Sequence, residues 1–188
     1  MGRTPLGKPL QLLIDRVSTP IGTAIVACDE NGNLRLFDWS DHEDRWWPML
    51  CARYGDAKLV ETRDPFGYTK IIEDYMAGEV NVIDTLPVVF AGTEFQNKVW
   101  QALRAIPAGE TMSYGALAVQ IGAPKAVRAV GLANGANPIG VVVPCHRVIG
   151  SDGSLTGYGG GLERKRWLLD HEARHAGVGL FRKKGSSK

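Results

Sequence analysis

Residues 141–150 read VVVPCHRVIG. Three valines run into Pro144. The chain then sets Cys145, His146 and Arg147 side by side before it turns apolar again at Val148 and Ile149. Flanking residues this apolar belong in a core, so the fold must bring a thiol, an imidazole and a guanidinium to the end of what reads as a buried strand. A thiol so placed is a metal ligand, half of a disulfide, a core residue or a nucleophile.

Cysteine usage narrows the choice. Cys28, Cys51 and Cys145 are odd in number and widely spaced, with no C-x-x-C pair, which argues against a disulfide framework. Zinc held by Cys28, His42 and Cys51 is conceivable, but Cys28 falls in a strand pattern and Cys51 in an apolar helix-like stretch. Both read as buried thiols. No metal and no cofactor is expected. No apolar run approaches the roughly 20 residues that span a bilayer, and MGRTPLGKPLQLLIDR has only a short apolar patch, Leu10 to Ile14, without the apolar core or cleavage site of a signal peptide. The expectation is a soluble, cytoplasmic protein with no membrane partner. A net charge of +2 excludes a polycation, so any nucleic-acid surface is local.

A chain of 188 residues allows one large domain or two small ones. The pattern predicts an α+β protein with an N-terminal α/β scaffold domain over 1–90, a mainly helical domain over 91–175 and a flexible basic tail over 176–188. Thr23 to Cys28 and Leu34 to Trp39 read as strands of a hairpin turning at Asn31-Gly32. Asp64 suits the cap of a helix carrying Ile71, Ile72, Tyr75 and Met76, stopped by Gly78. Leu86 to Phe90 reads as a short strand or extended connector. Nothing in this half looks chemically equipped.

Beyond Ala91-Gly92, Thr93-Glu94-Phe95-Gln96 is a capping box. Phe95, Val99, Leu103 and Ile106 then follow at helical spacing as far as Pro107. Ser113 caps a short helix over Tyr114 to Ile121, Gly122-Ala123 makes a tight turn, and Pro124 opens a second helix to about Ala133. Helix, glycine turn, helix is the helix-turn-helix pattern, which packed core helices also produce. Ala126, Ala129 and Ala133 line one face of the second helix, with Lys125, Arg128 and Leu132 beside it, while Val127, Val130 and Asn134 share another. The alanines either let a neighbouring helix pack closely or let this helix press into a DNA groove.

Together, Pro144-Cys145-His146-Arg147-Val148, the helix pair before it and Tyr158-Gly159-Gly160-Gly161 after it resemble the O6-alkylguanine-DNA alkyltransferases. The likeness is strongest over residues 93–172 and extends more weakly to STPIGTAIVACDENGNLRLFDW and EDYMAGE. It implies that Cys145 accepts an alkyl group, that His146 activates it and that Glu172 orients the imidazole. It makes Asn137 a hinge between the second helix and the active site, also placed at the substrate pocket. Tyr114 would sit at the guanine and Arg128 would fill the stack behind a flipped nucleotide. Ser113, Ala126 and Ala129 would meet DNA. Val148, Tyr158, Gly159 and Gly160 would read the guanine edge.

The implied partner is double-stranded DNA carrying O6-alkylguanine, bound through the minor groove with nucleotide flipping by a protein monomeric in solution. Activity on O4-alkylthymine and cooperative assembly on DNA stay open. Some relatives carry Ser in place of Gly159, and some hold zinc near the N-terminus through residues this chain lacks. The Cys-rich and regulatory domains of the adaptive-response form are absent from it as well.

The chemistry suits the residues. Displacing guanine oxygen from an alkyl carbon calls for a soft nucleophile, and a thiolate is one. Free Cys is only about a few per cent ionised at neutral pH, and a carboxylate-held imidazole corrects that. A thioether product has no good leaving group, so each molecule should act once. Gly140 and Gly159 suggest a pocket with room for groups larger than methyl. Two other readings compete: a Cys-His-Glu hydrolase, which needs no helix pair, and an alkyltransferase-like lesion binder, which would lack Cys145.

Overall fold

The computed structural model describes residues 10–55 and 57–177. Beyond residue 177 the expected basic tail lies outside the described residues. The fold is α+β, as its pattern predicts. Among the described residues, no helix is long and apolar enough to cross a membrane.

Four strands form the N-terminal sheet: β1 (Gln11–Thr19), β2 (Gly22–Asp29), β3 (Leu34–Trp39) and β4 (Lys58–Glu61), in the order β3-β2-β1-β4. The first three pair antiparallel, and β4 joins β1 in parallel. The expected hairpin is β2–β3, its turn held by the Asp29 carboxylate, which accepts from the Asn31 and Asn33 N–H groups. β1 was not foreseen as a strand. Leu12 and Ile14 are buried on one side and Val17 on the other, with Arg16 and Ser18 exposed. The run Leu12-Leu13-Ile14 followed by Asp15-Arg16 breaks the apolar/polar alternation that marks a half-exposed strand.

The sheet divides the core. Leu12, Ile14, Ile25, Ala27 and Leu36 face α1 (Glu43–Tyr54), packing on Trp46 and Leu50. Val17, Ala24, Val26 and Cys28 face the other way, into the main core. There they meet Ile72 and Tyr75 of α2 (Tyr68–Met76) and Val99, Trp100 and Leu103 of α3 (Glu94–Arg104). Asp64 does not occupy the cap position of α2, which falls to Gly67, but its carboxylate accepts from the Thr69 N–H at 3.0 Å. The 86–90 segment is an extended connector bridged to β3 at Val88.

The Thr93 capping box forms as expected, with both reciprocal hydrogen bonds present. Helices α4 (Tyr114–Gln120) and α5 (Val127–Gly135) make the helix pair. Gly122, at φ 73°, ends α4. The Ala123 N–H reaches the Ala118 carbonyl and the Gly122 N–H reaches Val119, closing a Schellman motif. Pro124 lies within the turn and not inside the second helix, which begins at Val127. Of the face expected to hold Val127, Val130 and Asn134, the last two are buried and Val127 is exposed. Ala133, expected beside Ala126 and Ala129, is buried.

Two arginines of α1 tie the sheet to this helix pair. Arg45 donates to the carbonyls of Gly135 and Asn137, and Arg53 to that of Ala136. These are orphan carbonyls at the C-terminal end of α5, where a cation also matches the helix dipole. Trp100, fully buried on α3, donates its indole N–H to the Ala133 carbonyl at 2.8 Å. Trp100→Ala should cost about 3–5 kcal/mol, measured as a fall in the urea midpoint with little change in slope.

Candidate active site

The valine run is not a strand. The Val142 N–H bonds to the Gly140 carbonyl at 2.7 Å, and the Val143 N–H to that of Ile139 at 2.9 Å. Val141 between them has φ 64°. A β-branched residue in the left-handed region is strained by roughly 1–3 kcal/mol, and it persists here because all three valines are fully buried. Asn137 staples the turn from within. Its side-chain oxygen accepts from the Ile139 N–H at 3.0 Å and its amide donates to the Val143 carbonyl at 2.8 Å. The 138–140 stretch also bonds to Phe37 of β3, from Phe37 N–H to Pro138 O and from Gly140 N–H to Phe37 O. Cys145–Arg147 then forms one 3-10 turn, held at the end of this staple.

Glu172, fully buried near the end of α6 (Leu162–His175), is the node of the site. Its carboxylate accepts from His146 Nε2 at 2.9 Å and from Arg147 Nε and Nη2, each at 2.8 Å. It also takes the Tyr75 hydroxyl at 2.7 Å and the Gly109 N–H at 3.3 Å. Burial alone would raise Glu172, but His146 and Arg147 hold its carboxyl far below the usual range. A carboxylate only accepts, so His146 Nε2 carries the proton and Nδ1 is the ring's acceptor. That Nδ1 is buried and has no hydrogen-bond partner among the described residues.

Burial lowers the proton affinity of His146 against the pull of Glu172. Burial also raises the Cys145 thiol, opposed by the Asn137 amide and the charges of Arg45 and Lys165. At rest this is therefore a neutral thiol beside a neutral, oriented base. The arrangement can take up a proton at Nδ1 and spread the resulting charge onto a preformed carboxylate.

The cavity beside Cys145 is lined by Phe37, Asp38, Trp39, Arg45, Asn137, Gly140, Tyr158, Gly159 and Gly160. The first four come from the N-terminal half, which the sequence presented as a scaffold. Gly140 and Gly159, expected at the pocket, both line it, and side chains from the N-terminal half fill the space over the glycine loop. A Cβ on Gly159 would lie 2.4 Å from the Arg45 guanidinium carbon, and one on Gly160 would lie 2.4 Å from Trp39 Nε1. Arg45 is in turn ion-paired with buried Asp38. Cys28, expected in the core, is buried, whereas Cys51, also expected to be buried, is exposed.

The predicted site residues fall into two groups. Cys145, His146, Glu172, Asn137, Tyr158, Gly159 and Gly160 converge. Val148 lies beneath them, fully buried, with its carbonyl taking a bond from Lys165 Nζ at 2.7 Å. Ser113, Tyr114, Ala126, Arg128 and Ala129 sit instead on the helix pair. Ser113 caps α4 through the Ala116 N–H, as expected. The Tyr114 hydroxyl accepts from Thr156 at 3.2 Å and does not line the Cys145 cavity. Arg128 and Ala129 are exposed and Ala126 half-buried. On the same helix Leu132 is 71% exposed and Val127 39%, two aliphatic side chains in water on different sides of α5. The strand β6 (Val148–Ile149) pairs in parallel with β5 (Met112–Ser113), so this surface and the site share a backbone ladder.

Residues 94–174 match the family described as 6-O-methylguanine DNA methyltransferase, DNA binding domain. The methylated-DNA–protein-cysteine methyltransferase of Salmonella typhimurium is 52% identical over 165 residues, spanning 87% of this chain and 96% of the relative. The chain belongs to the methylated-DNA–protein-cysteine methyltransferase family. A solved structure, that of the O6-methylguanine methyltransferase of Mycobacterium tuberculosis, superposes with a TM-score of 0.73 at 41% identity, covering 90% of this chain and 99% of that one. A structure of the M. tuberculosis OGT in complex with DNA superposes at 0.67, with 38% identity over 89% of this chain and 98% of that one.

For this family member the Glu172 node sets a stability test. Glu172→Gln leaves Arg147 buried without its counter-charge and should cost about 3–5 kcal/mol in urea unfolding. The folded carboxyl is depressed, so its contribution is complete above the unfolded value of about 4.3 and is lost as pH falls below it. The wild type should lose that increment on acidification and the variant should not.

Proposed function

We propose that this protein repairs DNA by moving an alkyl group from O6 of guanine onto the Cys145 sulfur. The observation that carries the reading is His146. It is a buried imidazole fixed by Glu172, with an unpartnered Nδ1, in the residue after a buried thiol whose cavity is walled by glycines and Tyr158. Nδ1 makes no hydrogen bond to Sγ here, so the thiol proton passes to it through a bridging water, and the imidazolium is stabilised by the carboxylate at Nε2. Sulfur forms its bond to the alkyl carbon as the carbon–oxygen bond breaks, and that electron pair stays with guanine. The guanine then takes up one proton, so the net transfer leaves a thioether and an ordinary base. Hydrogen-bond donors at the departing oxygen ease this step. We assign that task to Tyr114, which on DNA would close on the base from the N-terminal end of α4.

Access requires the nucleotide to leave the duplex at a cost of about a few kcal/mol. Ser113, Ala126 and Ala129 would bring the helix pair into the minor groove, with Arg128 entering the vacated stack, its plane suited to stacking on bases. Val148, Tyr158, Gly159 and Gly160 would contact the guanine edge. Asn137, stapled to both ends of the strained turn, would transmit movement between α5 and Cys145. The thioether has no good leaving group and no described residue is placed to return it to the thiol, so the reaction is stoichiometric.

Duplex containing O6-methylguanine should deposit one methyl group on the peptide carrying Cys145, with lesions repaired never exceeding protein molecules. Cys145→Ser should bind the duplex and transfer nothing. Sustained turnover, or methylation elsewhere, would reject the mechanism. A duplex with O4-methylthymine in the same assay decides whether that lesion is also a substrate.

Arg128→Ala should slow repair of duplex by about tenfold, equivalent to about 1.4 kcal/mol, while reaction with free O6-benzylguanine stays within about twofold. Equal losses on both substrates would remove the stacking role.

A further inference from the structure

Tyr75 lies on α2, in the half of the chain that carried no chemical signature. It is fully buried, and its hydroxyl donates to Glu172 Oε1 at 2.7 Å. The same oxygen accepts from His146 Nε2 at 2.9 Å and from Arg147 Nη2 at 2.8 Å. Three donors therefore share one carboxylate oxygen, and the phenol competes directly with the imidazole for its electron density. Tyr75 is also gripped from behind. His171, the neighbour of Glu172 on α6, bonds through Nε2 to the Tyr75 carbonyl at 2.7 Å and packs its ring edge-on at 5.5 Å between centroids. One turn of α6 thus fixes both the phenol's backbone and the acceptor of its hydroxyl.

A tyrosine merely filling core space needs none of this. Phe would fill the same volume without placing a hydroxyl against a carboxylate that Arg147 already neutralises and His146 already donates to. We infer that Tyr75 is a positioning residue which, through Glu172, sets how tightly His146 holds the proton it takes from Cys145. The inference rests on the alkyl-transfer reading for that proton's origin, though not for the hydrogen bond itself.

The direction follows from charge sharing. A donor on Oε1 withdraws negative charge from the face that stabilises the imidazolium, so the phenol makes His146 a weaker base than Glu172 alone would. Other charged or titratable groups act on the pair as well. Arg147, Lys165 and Cys145 lie about His146, with the Tyr158 ring edge-on to it, and Arg147, Asp84 and His171 lie about Glu172. None of these is altered by removing one hydroxyl from Tyr75.

The test is the titration of His146, followed by NMR of its ring Cε1–H in the full-length protein, with His146→Gln used to assign the signal. In Tyr75→Phe the His146 midpoint should rise by about half a pH unit or more, and the pH profile of benzyl transfer from O6-benzylguanine should move up with it. Replacing Tyr75 by 3,5-difluorotyrosine, a stronger donor that keeps the shape, should move both readouts down in pH. Opposite shifts from two nearly isosteric side chains are outside the reach of a packing role, and the fluorinated protein serves if Tyr75→Phe does not fold. An unchanged His146 midpoint, or a shift of one sign in both, overturns the assignment. If His146 responds as stated but the wild type transfers no alkyl group, the repair reading fails while the role of Tyr75 at Glu172 stands.

Discussion

One buried carboxylate organises this molecule. Glu172 would be costly to bury alone, and it is tolerable only because Arg147, His146, Tyr75 and the Gly109 N–H surround it. Those partners come from α2, from the loop after α3 and from the 3-10 turn, while the acid comes from α6. The requirement to satisfy one charge therefore draws distant pieces of chain to a point, and the point lies next to the turn that carries Cys145. Arg147 meets the acid on two atoms and leaves His146 the remaining approach. The same group that holds the fold together thus decides which imidazole nitrogen is free for chemistry.

A second tie runs from the opposite side. Arg45 and Arg53 of α1 reach the carbonyls that end α5, and Arg45 also covers Gly159 at the cavity wall. The C-terminal end of the outer helix, the Asn137 staple and the cavity lining therefore share a side chain. Movement of α5 along its axis would be felt at that guanidinium as soon as at Asn137 itself.

Much of this was legible in the sequence wherever the signal is local. The Asn-Gly hairpin, the Thr93 capping box and the helix pair each announce themselves within a few residues, because turns and caps depend on immediate neighbours. Cys145, His146 and Glu172 were legible through the family pattern around them. The valine triplet was misread because β-branched residues favour strands, and only the Asn137 side chain with Pro144 beyond it bends them into a turn. β1 was missed because three consecutive apolar residues followed by Asp15 and Arg16 hide its period. Tyr75, Arg45 and Asp38 were passed over for a different reason. Each joins the site from far away in sequence, and nothing adjacent marks them, although a carboxylate inside the apolar LRLFDW strand was a sign that a counter-charge had to arrive from elsewhere.

Helix α5 keeps Leu132 and Val127 in water, close in sequence to Arg128 and Ala129, the residues proposed to meet DNA. Contacts of arginine and lysine with a phosphate backbone weaken steeply as ions accumulate, because they depend on releasing counterions. Covering an aliphatic side chain does not depend on ions in that way. If α5 meets a duplex as proposed, part of that grip would come from dewetting, and that part would persist at ionic strengths where a purely basic surface lets go.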